Sequence, residues 1–482
     1  MQIYLIVGLL CFLPRLVKNE NANLKIPDEF SIGAATSAFQ VEGGWTGTDR
    51  GMSNLDNMTL ANSIGYDARI ASDSYHKWKE DVQLMKTIGL HYYRFSLSWS
   101  RILPTGLSKR ISQDGVTYYN NLIEELMSKG IEPYVTIYHW DHPAVFESFG
   151  GWLNETMVDY FVDYAQVAFR EFGSRVKFWS TVNEPNEYCK MIYSKPRDVC
   201  LCVHNMLKAH ARVYHLYKHD FYSTQRGKIG IVFVTHYYYS SVKNDALSPR
   251  LMYEYDGGWI ANPIFSKDGD YPAMMKKAEE ERMEWEKLSS PRLPEFSQYW
   301  IDLLRGSWDY LGLNHYSSYL VSKNSNDHSY YEEKNPDWPV ASNQWQNVVP
   351  QGFGDLLRFI KETYDNPPVY VLENGVSSFT GLNDMERIRY LHDYMKEMLL
   401  AIHRDGCNVK GYTIWSLLDN FEWGVGYSHR YGLVEVDFNH ENRTRTPRLS
   451  SQWLQKVIAK RELISPEDFK PFSLAKLELE HE

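Results

Sequence analysis

Apolar and polar positions along this chain switch between two periods. Tyr75, Trp78, Val82 and Met85 recur at spacings of three and four, the stripe of an amphipathic helix, and Gly89 marks its end. Tyr119, Leu122, Ile123 and Leu126 make a second such face, stopped at Gly130. Interleaved with the helical stripes are short runs rich in β-branched and aromatic residues, at 30–39, 92–99, 133–140, 176–183, 229–237, 310–320, 369–373 and 409–417. Eight strand-like runs separated by helices, with no second compositional block in 482 residues, predict an α/β fold made of a single (β/α)8 barrel. The competing layout, an open doubly wound sheet, calls for a glycine-rich phosphate loop after the first strand, and Ile32-Gly33-Ala34-Ala35-Thr36 lacks that spacing. The polar segment 322–349, with Asn324-Ser325-Asn326-Asp327 and Tyr330-Tyr331, reads as a long loop after the sixth strand, on a rim where such loops face substrate.

Composition narrows the partners. The formal charge is −10 and no lysine- or arginine-rich stripe occurs, which argues against nucleic acid and anionic membrane. Aromatics are abundant (15 Trp, 35 Tyr and 21 Phe), enough for both a core and platforms that hold a ring-shaped ligand. The apolar run 3–13 is too short to span a bilayer and is followed by Lys18-Asn19-Glu20-Asn21. It predicts a secretory signal peptide at about 1–20, with the barrel occupying 21–482 and the mature protein extracellular. Cys189, Cys200, Cys202 and Cys407 remain after the leader; Cys189 can pair with Cys200 or Cys202, and spacing does not choose between them. His204 lies close by, but the cysteines are too tightly spaced for a zinc motif, so no metal and no cofactor are expected. Sequons at Asn57, Asn154 and Asn442 fit export. The oligomeric state is left open.

Two glutamate motifs, Thr181-Val182-Asn183-Glu184-Pro185 and Val371-Leu372-Glu373-Asn374-Gly375, each end a strand-like run. Burying a lone carboxylate at a strand end is costly, so two such sites require a reason. Retaining glycoside hydrolysis supplies one: a proton donor and a nucleophile facing each other about 5–5.5 Å apart. In a (β/α)8 barrel, chemistry gathers at the C-terminal ends of the strands, where these glutamates fall on the fourth and seventh. Arg94 lies inside an apolar strand, where an unpaired guanidinium is costly; pairing with Glu373 removes that cost and keeps the carboxylate charged.

The chain resembles glycoside hydrolase family 1, the β-glucosidases, and in particular its secreted insect-like members. The resemblance runs from about residue 27 to 454. It is carried by 33–43 (GAATSAFQVEG), 93–101 (YRFSLSWSR), Tyr138-His139-Trp140-Asp141, both glutamate motifs, Asn314-His315-Tyr316, and 415–423 (WSLLDNFEW). It implies Glu184 as acid/base and Glu373 as nucleophile, the latter contacted by Arg94 and Tyr316. It implies a small-molecule β-glycoside held by Gln40, His139, Asn183, Asn314, Trp415, Glu422 and Trp423, and a cis peptide between Trp415 and Ser416. Gln40 and Glu422 are expected to take pairs of sugar hydroxyls, and Asn183 the 2-hydroxyl. Glu187 and Lys190 are the candidates for aglycone contacts. Departures from the family pattern are the short, cysteine-rich stretch 186–203, Leu55 and His142, all expected at the aglycone side or rim, together with Tyr431.

The leading expectation is therefore a secreted retaining β-glucosidase. The alternatives are an insect-type thioglucosidase, which adds basic residues for a sulfate, and a non-catalytic carbohydrate receptor on the same scaffold. Lys190 suits the thioglucosidase, but Tyr319 stands where an arginine is expected; retention of both glutamates argues against the receptor.

Overall fold

The computed structural model describes residues 24–61, 67–323, 330–378 and 381–471; the predicted signal peptide lies outside them. Eight parallel strands close a barrel: β1 (Ser31–Ala35), β2 (Tyr92–Ser96), β3 (Glu132–Tyr138), β4 (Phe178–Asn183), β5 (Lys228–Val234), β6 (Leu311–Asn314), β7 (Val369–Asn374) and β8 (Val409–Trp415). Each pairs with its neighbours in sequence, and β8 returns to β1 with Ser31 opposite Gly411. No helix among the described residues is long and apolar enough to cross a membrane.

Strands buried on both faces read as near-continuous apolar runs, and here the alternation sorts two environments. Tyr93 and Phe95 of β2 belong to the shell between barrel and helices, where Phe95 stacks on Tyr119 at 6.4 Å. Tyr92 joins Tyr134, Phe178, Tyr310 and Tyr370 in a cluster of their own. Its rings stack in series, Tyr92 on Tyr134 at 4.0 Å, Tyr134 on Phe178 at 3.9 Å and Phe178 on Tyr310 at 4.3 Å. These residues lie at the starts of β2, β3, β4 and β7 and, for Tyr310, just before β6, so the N-terminal end of the barrel is plugged by aromatic rings. The opposite end is left to polar side chains.

The helices follow the stripes. The helix α1 (Ser74–Ile88) buries Val82 and Met85, and Gly89 at φ +84° ends it, giving its N–H to the carbonyls of Met85 and Lys86. In α2 (Gln113–Ser128) the Ser112 hydroxyl caps the start by accepting the Gly115 N–H at 3.2 Å, and Tyr119, Leu122, Ile123 and Leu126 face inward.

Several predicted strands run shorter than their apolar stretches. The first stops at Ala35, and Ala38–Val41 turns into a helix whose first N–H donates to Ser96 Oγ at 2.7 Å. The fifth stops at Val234 and the sixth at Asn314; each chain restarts, at Tyr237–Ser240 and Ser318–Lys323, as parallel partners in a separate sheet above the barrel. Side chains hold the bends: Asp256 Oδ2 takes the His236 N–H at 2.9 Å, and Asn374 Nδ2 donates to the His315 carbonyl at 2.6 Å. Periodicity cannot separate one long strand from two short ones joined by such a bend. The polar segment after β6 is in part strand, with Tyr330–Glu333 antiparallel to Ser318–Lys323, before it becomes loop; its Asn324-Ser325-Asn326-Asp327 stretch lies outside the described residues.

The loop after β8 is locked from beneath. Arg448 clamps Asp419 through two bonds of 2.8 and 2.7 Å, both side chains wholly buried, and Asp419 also accepts the Gly432 N–H at 2.9 Å. Asp419→Ala leaves that guanidinium with the Gly381 and Gly432 carbonyls and, 3.6 Å away, Glu435, but without its bidentate carboxylate. The expected loss is roughly 3–5 kcal/mol, read as a lower urea midpoint; an unchanged midpoint would show that the pair contributes nothing.

Candidate functional site

The loops at the C-terminal end of the barrel enclose a cavity of about 590 Å³, and both glutamates line it. Strand register slips beneath each: between Ser180 and Asn183 where β4 meets β5, and between Val371 and Glu373 where β7 meets β6. Such irregularities re-aim side chains at strand ends. Glu184 sits at φ +45°, ψ 61°, as the residue that begins helix α3 (Pro185–Ile192), with its N–H held by the Val232 carbonyl at 2.8 Å.

The two carboxyls are held differently. Glu373 accepts from Arg94 Nη1 at 2.5 Å on one oxygen and from the Tyr316 hydroxyl at 2.6 Å on the other. Glu184 has no cation in contact and accepts from Asn314 Nδ2 at 2.6 Å. Burial, then the Glu373 charge, push Glu184 well above the usual carboxylate range, against the Asn314 bond that lowers it. Burial and the same charge raise the Tyr316 hydroxyl, keeping it a neutral donor. One carboxyl is thus built to carry charge and the other to carry a proton.

The remaining walls form around them. His139 lies nearly parallel to Trp415 and Trp423, at 6.0 and 6.2 Å. Burial and the Arg94 charge hold its pKa well down, so the ring is neutral; Asn183 Nδ2 donates to its Nε2 at 3.3 Å, leaving the proton on Nδ1. Glu422 accepts from the Trp415 indole at 3.2 Å; burial pushes it up to about 8 against that bond, and the Glu373 charge adds to the rise. The Trp415–Ser416 peptide is cis, as the resemblance implies. Gly375 packs so close that an added Cβ would lie 1.8 Å from the Trp415 carbonyl oxygen, so this motif admits only glycine.

Of the residues expected from the sequence, Gln40, His139, Glu184, Glu187, Tyr316, Glu373, Trp415, Glu422 and Trp423 line the cavity. Arg94, Asn183 and Asn314 stand behind it. Asn314 gives its amide to Glu184 and to Asn183 Oδ1, at 2.6 and 3.3 Å, so it positions the glutamate rather than presenting a free group to a sugar. Asn183 Oδ1 is taken by Arg94 at 2.6 Å. Gln40 donates to Asn420 Oδ1 and the Phe421 carbonyl, both at 2.9 Å, so what it offers a ligand is its acceptor oxygen rather than a donor–acceptor pair.

Lys190 does not reach the cavity wall. Glu187 at 2.9 Å and Asp256 at 3.4 Å hold its ammonium to one side. Leu55 and His142, expected near the rim, are instead wholly buried, His142 between Tyr138 and Glu147 at 2.9 and 2.6 Å. Tyr431 is the departure that lines the cavity, its hydroxyl accepting from Asn343 at 2.8 Å. The cysteine-rich stretch folds as α3 and α4 (Pro196–Leu216), joined by a Cys189–Cys202 disulfide, with Cys200 free. Asn57 and Asn442 are exposed, while Asn154 is half-buried and donates to the Phe149 carbonyl at 3.1 Å.

Sequence reasoning missed His236, Asn343, Trp345 and His429 on the wall. Asn343 and Trp345 belong to the polar segment after β6, where two tryptophans, Trp338 and Trp345, in a hydrophilic stretch were the available signal. His236 carried none, because it falls within an apolar run.

Comparison with known proteins agrees with this geometry. The glycosyl hydrolase family 1 model matches residues 22–463. Myrosinase 1 of Brevicoryne brassicae is 40% identical over 90% of this chain and 98% of its own length. Beta-glucosidase 12 of Oryza sativa subsp. indica is 39% identical over 90% of this chain and 92% of its own. The solved structure of an aphid myrosinase superposes with a TM-score of 0.86 at 39% identity, covering 90% of this chain and 99% of that one. This chain belongs to glycosyl hydrolase family 1 and is a retaining glycoside hydrolase.

Proposed function

We propose that this enzyme is a secreted β-glucosidase acting on O-glucosides. The observation that carries it is the opposed pair in one cavity: Glu373 gripped by Arg94 and Tyr316, Glu184 kept protonated by burial. In the first step Glu373 attacks the anomeric carbon while Glu184 gives its proton to the departing glycosidic oxygen, so one C–O bond forms as the other breaks. Esterification removes the Glu373 charge, which after burial is the largest cause that raises Glu184. Its pKa therefore falls, and as a carboxylate it takes a proton from the water that attacks the glycosyl-enzyme. His139, Gln40 and Glu422 are assigned to the sugar hydroxyls, Asn183 to the 2-hydroxyl through its remaining N–H, and Trp415 to the sugar face.

Secretion is supported by the apolar leader, the sequons and the Cys189–Cys202 disulfide, which suits an oxidising compartment. A sulfated thioglucoside is disfavoured despite the myrosinase relatives. Among the described residues no lysine or arginine lines the cavity, Tyr319 stands on its wall, and Lys190 is paired with two carboxylates.

Purified enzyme should release nitrophenol from the β-glucoside and leave a sulfated thioglucoside uncut, with β-galactoside and β-fucoside measured alongside. Release should fall to background in Glu373→Gln, and activity that survived in this variant would remove Glu373 from its role. Glu184→Ala should lose about 10²–10⁴-fold on poor leaving groups, lose less on activated aryl glucosides, and recover in part with azide. Equal losses on both substrate types would contradict the acid/base assignment.

The raised pKa of Glu184 also predicts a pH profile. The group must be protonated to act first, so kcat/KM holds at pH values where an ordinary carboxyl is ionised and declines as pH rises through the elevated value. That alkaline limb should disappear in Glu184→Ala assayed on an activated substrate; a limb left in place would belong to another group.

A further inference from the structure

His236 lies just past the end of β5, half-buried, with its ring on the cavity wall. Its backbone is pinned: Asp256 Oδ2 takes the His236 N–H and the Thr235 hydroxyl, both at 2.9 Å. Its ring meets Tyr319 edge-on at 5.0 Å and Tyr238 at 6.3 Å. No described group hydrogen-bonds either ring nitrogen, and Nδ1 is sealed from solvent without a partner. An orphaned buried N–H is rarer and costlier than an orphaned lone pair, so Nε2 is the ring nitrogen that carries an N–H. Apolar and aromatic side chains, Val234, Trp140, Trp345 and Val425, share this wall with Glu187, Asn343 and His429; Trp345 and Val425 are each 41% exposed.

We propose that His236 anchors the aglycone: its Nε2–H donates to an acceptor oxygen, a carbonyl, ester or ether, carried on an apolar ring-shaped aglycone. The proposal rests on the β-glucosidase reading and deepens it by naming the aglycone class. A strongly held acceptor also discriminates, because an aglycone that lacks it covers the N–H without satisfying it. Asp256, Glu332 and Glu187 place more carboxylate near this histidine than the single Lys190 ammonium offsets, which favours a neutral acceptor over an aglycone bearing a carboxylate.

The test compares 4-methylumbelliferyl β-glucoside, whose lactone carbonyl supplies the acceptor, with 2-naphthyl β-glucoside, which has similar bulk and none. In His236→Phe the ratio of kcat/KM for the first over the second should fall about tenfold, the effect of one hydrogen bond, with the change in KM. His236→Gln, which restores an N–H donor, should recover much of the ratio. A ratio unchanged in His236→Phe, or equally lowered in His236→Gln, would overturn the anchor while leaving the β-glucosidase reading intact. Wild-type enzyme that cleaved neither glucoside would sink that reading instead.

Discussion

The guanidinium of Arg94 is the constraint from which the catalytic geometry follows. It is buried, and it reaches Thr136 on β3, Asn183 on β4, and both the Leu372 carbonyl and the Glu373 carboxylate on β7. A buried cation with excellent geometry is worth its desolvation only when its donors find acceptors, and here the acceptors come from three strands, with β7 far from β3 and β4 in sequence. Orienting Asn183 orients His139, and holding Glu373 fixes the charge that raises Glu184. The aromatic rings plugging the opposite end of the barrel exclude water from below, which is what gives that charge its reach.

Function in this site is a matter of unequal environments for identical side chains. Glu184, Glu373 and Glu422 share one cavity, yet only Glu373 has a cation in contact. Asn314 serves Glu184 while Asn420 and Phe421 serve Gln40, so most polar groups near the ligand space are committed before a sugar arrives. Preorganisation of this kind limits what each residue can offer, as the occupied amide of Gln40 shows. It also removes the reorganisation that would otherwise accompany charge movement.

Much of the fold was legible in the chain because each barrel strand had to be apolar on both faces and each helix on one. The stripe at Tyr119, Leu122, Ile123 and Leu126 is buried as the spacing requires, and all eight barrel strands fall within their predicted runs or within a few residues of them. What could not be read were the bends at Val234 and Asn314, since these are imposed by Asp256 and Asn374 from elsewhere in the chain. Arg94 could be paired with Glu373 from cost alone, because the strand around it left no other use for a charge. Leu55 and His142 were misplaced for the converse reason: a departure from a family pattern shows that something changed, and only packing shows where. Lys190 stood at a suggestive spacing, but the carboxylate that claims it, Asp256, lies 66 positions away in sequence.

The proton held on Glu422 has a further meaning for what may enter the cavity. With Glu184 raised well up and Glu422 raised to about 8, the cleft stores protons at neutral pH that these two glutamates would not hold in water. A neutral sugar ring leaves that store in place. A ring bearing its own positive charge does not need it, and its arrival expels protons to the solvent. Binding of cationic sugar mimics is thus an ion exchange, whose heat depends on the buffer that receives the proton and whose affinity follows pH through the protein as well as through the ligand.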